Sequence, residues 1–202
     1  MRENTMTIDE MLRLKGAHLA PYIQIATALI GKNRYGGGNM FRHQIDTMAT
    51  LIDYGYIDSI LLKAAIVHDI IEDIPDFNHN TLLSIDFESH SVYELVKEVT
   101  RTPDETKPEF LVRILEAGSK NAKVLKVADR ISNMVSLGFV NNMDFVKRYT
   151  NETEHYIFPI AETVDKTMLK ELQWLVESRR RHLASFAKIR ADEVYADSSD
   201  FL

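Results

Sequence analysis

The stretch IVHDIIEDIP, residues 66–75, sets a histidine and three acids inside an apolar run. In a helix, residues four apart share a face, so the spacing predicts His68 over Glu72 and Asp69 over Asp73. Burying that many ionisable groups is costly unless something compensates them, and a bound cation is the usual compensator. A chain with this segment has to fold so that an apolar helix delivers polar groups to an interior site.

The rest of the pattern is helical. Residues 6–30 place Met11, Leu14, His18, Leu19, Tyr22, Ile25, Ala26 and Leu29 at a three-to-four spacing, with His18 expected in the core or at its rim. Residues 41–54 and 57–73 are predicted as two helices joined at Gly55, the second stopped by Pro75. Two short helical pieces follow over 81–100, then a loop with two prolines, and then helices over 109–117, 121–137, 142–157 and 159–191. The tail DEVYADSSDFL is polar and expected to fray. No stretch alternates long enough to support a sheet. The expectation is an all-α, compact helical bundle of about eight to ten helices. It forms a single domain over 1–202, with its core at about 15–165 and C-terminal helices and tail over 166–202.

Composition narrows the chemistry. A net charge of −6 with no dense basic block disfavours a nucleic-acid partner. The absence of cysteine removes disulfides, thiolate metal sites and cysteine nucleophiles. The N-terminus, MRENTMTIDEMLRLKG, has no secretory apolar core, and no apolar run is long enough for a bilayer. A cytoplasmic protein with no membrane partner is expected; nothing in the pattern fixes its oligomeric state.

Chemistry concentrates at His43, at His68-Asp69, at Glu72-Asp73, and at Asp129 with Asn133 in the apolar segment VLKVADRISNM. Three helices that each bring polar groups from an apolar face are how metal sites in bundle cores are built. His43, His68, Asp69 and Asp129 would give a mixed nitrogen and oxygen site suited to Mn²⁺, Fe²⁺ or Zn²⁺. Such an ion lowers the pKa of water and stabilises charge on phosphoryl oxygens. Glu72 and Asp73, one turn on, are placed to orient or deprotonate that water. Elsewhere, Gly36-Gly37-Gly38 lacks the Gly-Lys-Ser/Thr ending of a phosphate-binding P-loop. His79 and His90 raise the option of a second metal, which the surrounding segment does not favour. The basic stretch ESRRRHLASFAK at 177–188 reads as a solvated helix face.

These residues resemble the HD metal-dependent phosphohydrolases, and more closely the hydrolase domain of the RelA/SpoT enzymes and the small alarmone hydrolases. The "HDxxED" box of that family is here HDIIED at 68–73, and its "ADRxxNM" box is ADRISNM at 128–134. Arg34 lies nine residues before His43 with Gly37 between, similar to the family's loop. Weaker similarity runs through ELVKEVTR at 94–101, RILEAGSKNAKVLKVADR at 113–130 and HYIFPIAE at 155–162, covering roughly 15–165. The resemblance implies an HD-type helical domain holding one divalent metal, Mn²⁺, through His43, His68, Asp69 and Asp129. It implies Glu72 and Asp73 as the water-activating residues, Arg34 near guanine, and Asn133 and Ser136 near the ribose and phosphates. The implied reaction releases the 3′-pyrophosphate of the small-molecule nucleotide (p)ppGpp, giving GDP or GTP and pyrophosphate. The chain ends soon after the hydrolase-like portion, so a stand-alone hydrolase without the synthetase domain is expected.

The departures from the family fall beside the nucleotide. Asn39 and Met40 stand where Pro-Tyr is usual, Gln44 where Pro is usual, and Tyr35 where a second basic residue is common. The alternatives are another HD nucleotide phosphohydrolase, acting on ppApp, NADPH or a nucleoside monophosphate, or a nucleotide-sensing module without turnover. The presence of Glu72 and Asp73 beside all four candidate ligands argues against the last.

Overall fold

The computed structural model describes residues 5–199, and side chains from 5 to 187. Its twelve α-helical segments are α1 (Ile8–Gly16), α2 (Ala20–Ala26), α3 (Met40–Asp53), α4 (Ser59–Val67), α5 (Ile70–Asp73), α6 (His79–Leu83), α7 (Ser89–Val99), α8 (Lys107–Ala117), α9 (Lys120–Ser136), α10 (Met143–Glu152), α11 (Phe158–Val164) and α12 (Lys166–Ser199). The only β-type pairing among the described residues is an isolated bridge between Asn33 and Asn39, so the all-α expectation holds. Two of the segments, α5 and α6, are single turns.

The centre of the fold is α4. Asp58 starts it by accepting a hydrogen bond from the Leu61 amide at 2.8 Å, and every residue from Leu61 to Val67 is buried. It packs against α2, α3, α7 and α9. Each of its large apolar side chains contributes about 1.5–3 kcal/mol by leaving water. One residue of that run is charged: Lys63 Nζ lies 2.7 Å from Asp86 Oδ2 and 2.5 Å from Glu88 Oε2. The second long buried helix, α9, is capped by Ser119 and packs on α3, α12, α11 and α7. Helix α3 begins at Asn39, whose side chain accepts from the Arg42 amide at 2.9 Å. The loop before it doubles back: Arg34 N donates to Gly38 O and Met40 N to Lys32 O. Gly37 and Gly38 supply the positive φ values (87° and 74°) that this reversal needs.

Four segments differ from the expected boundaries. The N-terminal helix is two helices, broken at 17–19 before Pro21 opens α2, and His18 lies exposed in the break. The single helix expected over 57–73 is interrupted at His68-Asp69, for a reason given below. A π-helical turn, Thr153–Ile157, joins α10 to α11, widening the backbone just before Pro159, which has no amide hydrogen to donate. Asp165 then leaves helical geometry, and its carboxylate caps α12 by accepting from the Thr167 and Met168 amides at 2.7 and 3.0 Å. Met168, Leu172 and Val176 of α12 are buried in the common core. The tail expected to fray is helical to Ser199, and its last three residues lie outside the described ones. No described helix is long and apolar enough to cross a membrane.

Candidate functional site

The helix break is where the site begins. His68 Nδ1–H donates to Ala65 O at 2.8 Å, occupying the carbonyl that the Asp69 amide would take in a continuous helix. The Asp69 amide turns instead toward Gln44 Oε1 on α3, 3.5 Å away. His68 and Asp69 therefore sit at a corner between α4 and α5 rather than on one helical stripe. Because a carbonyl only accepts, this bond keeps a proton on Nδ1, so in the neutral ring the lone pair lies on Nε2.

That lone pair points at a cluster drawn from three places in the chain. Ligand atoms of His43, His68 and Asp69 lie within 4.8 Å of one another. Asp69 Oδ2 is 3.6 Å from His43 Nε2 and 3.3 Å from His68 Nε2. Asp129 approaches from α9, its Oδ1 at 3.1 Å from His43 Nε2 and 3.8 Å from His68 Nε2, outside the mutual reach of the other three. His43 Nδ1 faces Ser132 Oγ at 2.9 Å, and the tautomer that frees Nε2 for a cation is the one in which Nδ1–H donates to that hydroxyl. Asp129 is also held by Lys126 Nζ at 2.8 Å and by Asn133 Nδ2 at 2.5 Å.

The electrostatics show what the cluster lacks. Burial works against a charged His68, yet Asp69 and Asp129 outweigh it and push the imidazole up to about 9. Burial likewise opposes charge on Asp129, but Lys126 and the two imidazoles hold it well below the usual carboxylate range. His68 Nε2 is nonetheless buried without a hydrogen-bond partner. Two imidazoles and two anionic carboxylates form a donor set that fits a divalent cation, which would take the place of the proton on His68 Nε2.

Glu72 and Asp73 stand at the edge of the same cleft but are not equivalent. Asp73 is engaged by Lys32, whose Nζ lies 2.7 Å from Oδ1 and 2.5 Å from the Asp73 carbonyl oxygen. Glu72 makes no hydrogen bond or ion pair among the described residues, and desolvation together with Asp69 raises its pKa. The cleft encloses about 380 Å³. Its far wall carries Lys107, Arg130 and Tyr149, with Arg130 stacked 4.2 Å from the Tyr149 ring and bonded to Glu152 at 2.7 Å. Its mouth is the glycine loop. Arg34 donates from Nη2 to Asn133 Oδ1 at 2.5 Å and from Nη1 to Ser136 Oγ at 3.1 Å. Tyr35 lies against Phe145, with ring centroids 4.9 Å apart.

The nine residues singled out in the sequence thus converge on one cleft, except that His68 lies in its wall rather than on its lining. The exposed His79 and His90 take no part: His79 packs edge-on between Phe77 and Tyr93, and His90 lines a separate surface groove. In the basic stretch, Arg179 reaches the Met134 and Val135 carbonyls at the end of α9 and Arg180 pairs with Glu154, so two of its three arginines are tied to the body. Gln44, placed beside the nucleotide by sequence reasoning, is instead bonded to Asp69 in the cluster. Sequence reasoning missed Lys126, Ser132, Lys107 and Arg130; Lys126 had a signal, since it stands three residues before Asp129 in a helix, and Ser132 had none.

No family model matches the chain. It is 27% identical over 186 residues to a probable guanosine-3′,5′-bis(diphosphate) 3′-pyrophosphohydrolase of Mycoplasma genitalium, covering 83% of this chain and 25% of that protein. The same figures hold for the protein of that description in Mycoplasma pneumoniae. The chain spans about a quarter of the length of these curated relatives. Among solved structures it is similar to a metazoan ortholog of SpoT described as hydrolysing ppGpp and playing a role in starvation responses. The TM-score is 0.66 at 20% identity, with 87% of this chain and 98% of that one covered. The helical fold is shared with that protein.

Proposed function

We propose that this chain is a metal-dependent pyrophosphohydrolase acting on guanosine 3′-pyrophosphates, (p)ppGpp, giving GDP or GTP and pyrophosphate. The observation that carries the reading is the meeting of His43, His68, Asp69 and Asp129 around a buried, unpartnered imidazole nitrogen, with an unpaired glutamate on the cleft beside them. The two curated relatives are named for this reaction, which supports the choice of substrate. His43, His68, Asp69 and Asp129 would hold one divalent ion, and the mixed nitrogen and oxygen, thiol-free donor set suits Mn²⁺. When bound, such an ion lowers the pKa of water and neutralises charge on phosphoryl oxygens.

The residues of the chain divide the remaining work. Glu72, without a hydrogen bond or ion pair among the described residues, takes a proton from the attacking water as its oxygen adds to the phosphorus next to the ribose 3′ oxygen. The bond from that phosphorus to the 3′ oxygen breaks, pyrophosphate leaves, and the ribose oxygen gains a proton. Asp73, held by Lys32, orients the water rather than deprotonating it. Lys126, Lys107 and Arg130 face the phosphates with positive charge, while Arg34, Asn133 and Ser136 hold the nucleoside end. The setting is cytoplasmic, where nucleotide substrates and divalent ions are both present.

The test is a hydrolysis assay on ppGpp with chelated protein and with Mn²⁺ restored. Metal-dependent release of pyrophosphate and GDP is expected. Orthophosphate release, or turnover of an adenine nucleotide alone, would replace this substrate with another, and tight nucleotide binding without turnover would leave a sensing module.

A further inference from the structure

We propose that Gln44 is a positioning residue that clamps Asp69 in the orientation needed to hold the metal; this rests on the metal reading given above. Gln44 follows His43 on α3 and is 0% exposed. A buried primary amide is costly unless its donor and its acceptor are both used, and both of these go to one residue. Nε2 donates to Asp69 Oδ2 at 2.8 Å, and Oε1 faces the Asp69 amide at 3.5 Å.

The oxygen that Gln44 grips is the one that matters. Asp69 Oδ2 is the atom facing both imidazole Nε2 nitrogens, at 3.6 and 3.3 Å. A carboxylate oxygen has two lone pairs, so a bond to one of them aims the other. With one lone pair given to Gln44, the second is directed into the cluster, and Asp69 is set as a ligand through a single oxygen. The weaker backbone contact steadies the corner at which the Asp69 amide has lost its helical partner to the His68 ring.

Asp69 sits at the corner between α4 and α5, whereas Gln44 is buried on α3, which packs against α4 and α9. One rigid helix thus supplies a ligand, His43, and the orienter of a second ligand at the next position.

The experiment compares the full chain with its Gln44→Met variant, which keeps the length and packing of the side chain and removes both hydrogen-bonding groups. Metal-stripped protein is titrated with Mn²⁺ by calorimetry and with Co²⁺ by visible absorption, and thermal unfolding in chelator reports on the fold alone. The expected result is a metal Kd raised about 10- to 100-fold, the usual scale for loss of a group that orients a ligand. An altered Co²⁺ absorption band should accompany it, with unfolding in chelator close to that of the wild type. If Gln44→Met does not fold, Gln44→Asn, one methylene too short to reach Asp69, is expected to give the same weakening. A folded variant with wild-type Kd and an unchanged Co²⁺ band overturns the clamp while leaving the proposed function standing. A wild-type chain that binds neither ion overturns both.

Discussion

Arg34 and Asn133, 99 residues apart in sequence, are joined by a 2.5 Å hydrogen bond from guanidinium Nη2 to amide Oδ1. The Asn133 amide nitrogen in turn donates to Asp129, at 3.0 Å to its carbonyl and 2.5 Å to Oδ1. A side-chain amide can do both at once because its donor nitrogen and its acceptor oxygen are separate atoms. The glycine loop at the cleft mouth is thereby linked through one side chain to a candidate metal ligand.

Arg34→Ala should therefore act chiefly on nucleotide binding. The guanidinium is planar and able to stack on a purine as well as pair with phosphate, contacts made alike in ground and transition states. KM is expected to rise about tenfold or more with a smaller change in kcat. Kinetics on ppGpp and ppApp, measured side by side, check this: an unchanged KM for both substrates would remove Arg34 from the site. Tyr35, lying against Phe145, offers a stacking face that every base can use. Discrimination between guanine and adenine is accordingly expected to be loose.

The metal assignment is tested by Asp69→Ala and His68→Ala. Each removes one ligand and leaves the others as buried charges without a counter-ion. Metal content after gel filtration and hydrolytic activity are expected to be lost together. An Asp69→Ala protein that retains one equivalent of metal would show that the ligand set is wrong.

Much of this was legible in the sequence because it depends on residue type and spacing. The apolar runs gave the helices, and the histidines and acids set into them gave the cluster. The break at His68-Asp69 was not legible, because it arises when the His68 ring takes the Ala65 carbonyl, a bond that no periodicity reports. Nor was the inequality of Glu72 and Asp73, which adjoin in the sequence but are separated by Lys32, a residue 41 positions away from its partner. The bond of Gln44 to Asp69 went unread for the same reason: the partner is 25 residues distant, and the departure at Gln44 was placed beside the nucleotide instead.

That inequality yields a separate test. Glu72→Gln keeps size and hydrogen bonding but removes basicity, and among the described residues it breaks no hydrogen bond or ion pair. Metal and nucleotide should still bind, while kcat falls by about two orders of magnitude or more, the scale of general-base loss. Wild-type turnover in this variant would transfer the proton-accepting role to Asp73.

The last prediction concerns stability away from the cleft. Lys63 is only 2% exposed in the middle of α4, with Asp86 and Glu88 both bonded to its ammonium and Tyr22 OH donating to Asp86 at 2.9 Å. Lys63→Met would leave two carboxylates close together with no cation between them, a change that typically costs about 3–5 kcal/mol. The pH dependence has a definite sign. Burial acts to raise Asp86 and Glu88, but Lys63 outweighs it and holds both below their ordinary values of 3.8 and 4.5. Carboxylates depressed in this way stabilise the fold fully above those values, and the contribution is lost as pH falls through the folded-state values. In the variant the lysine no longer depresses them, so acid neutralises an unfavourable pair instead of breaking a favourable one. Urea unfolding from pH 7 down to pH 3 should show a gap between wild type and Lys63→Met that is large at neutral pH and shrinks in acid. A gap of constant size over that range would mean that Lys63 stabilises by its packed hydrocarbon stem rather than by its charge.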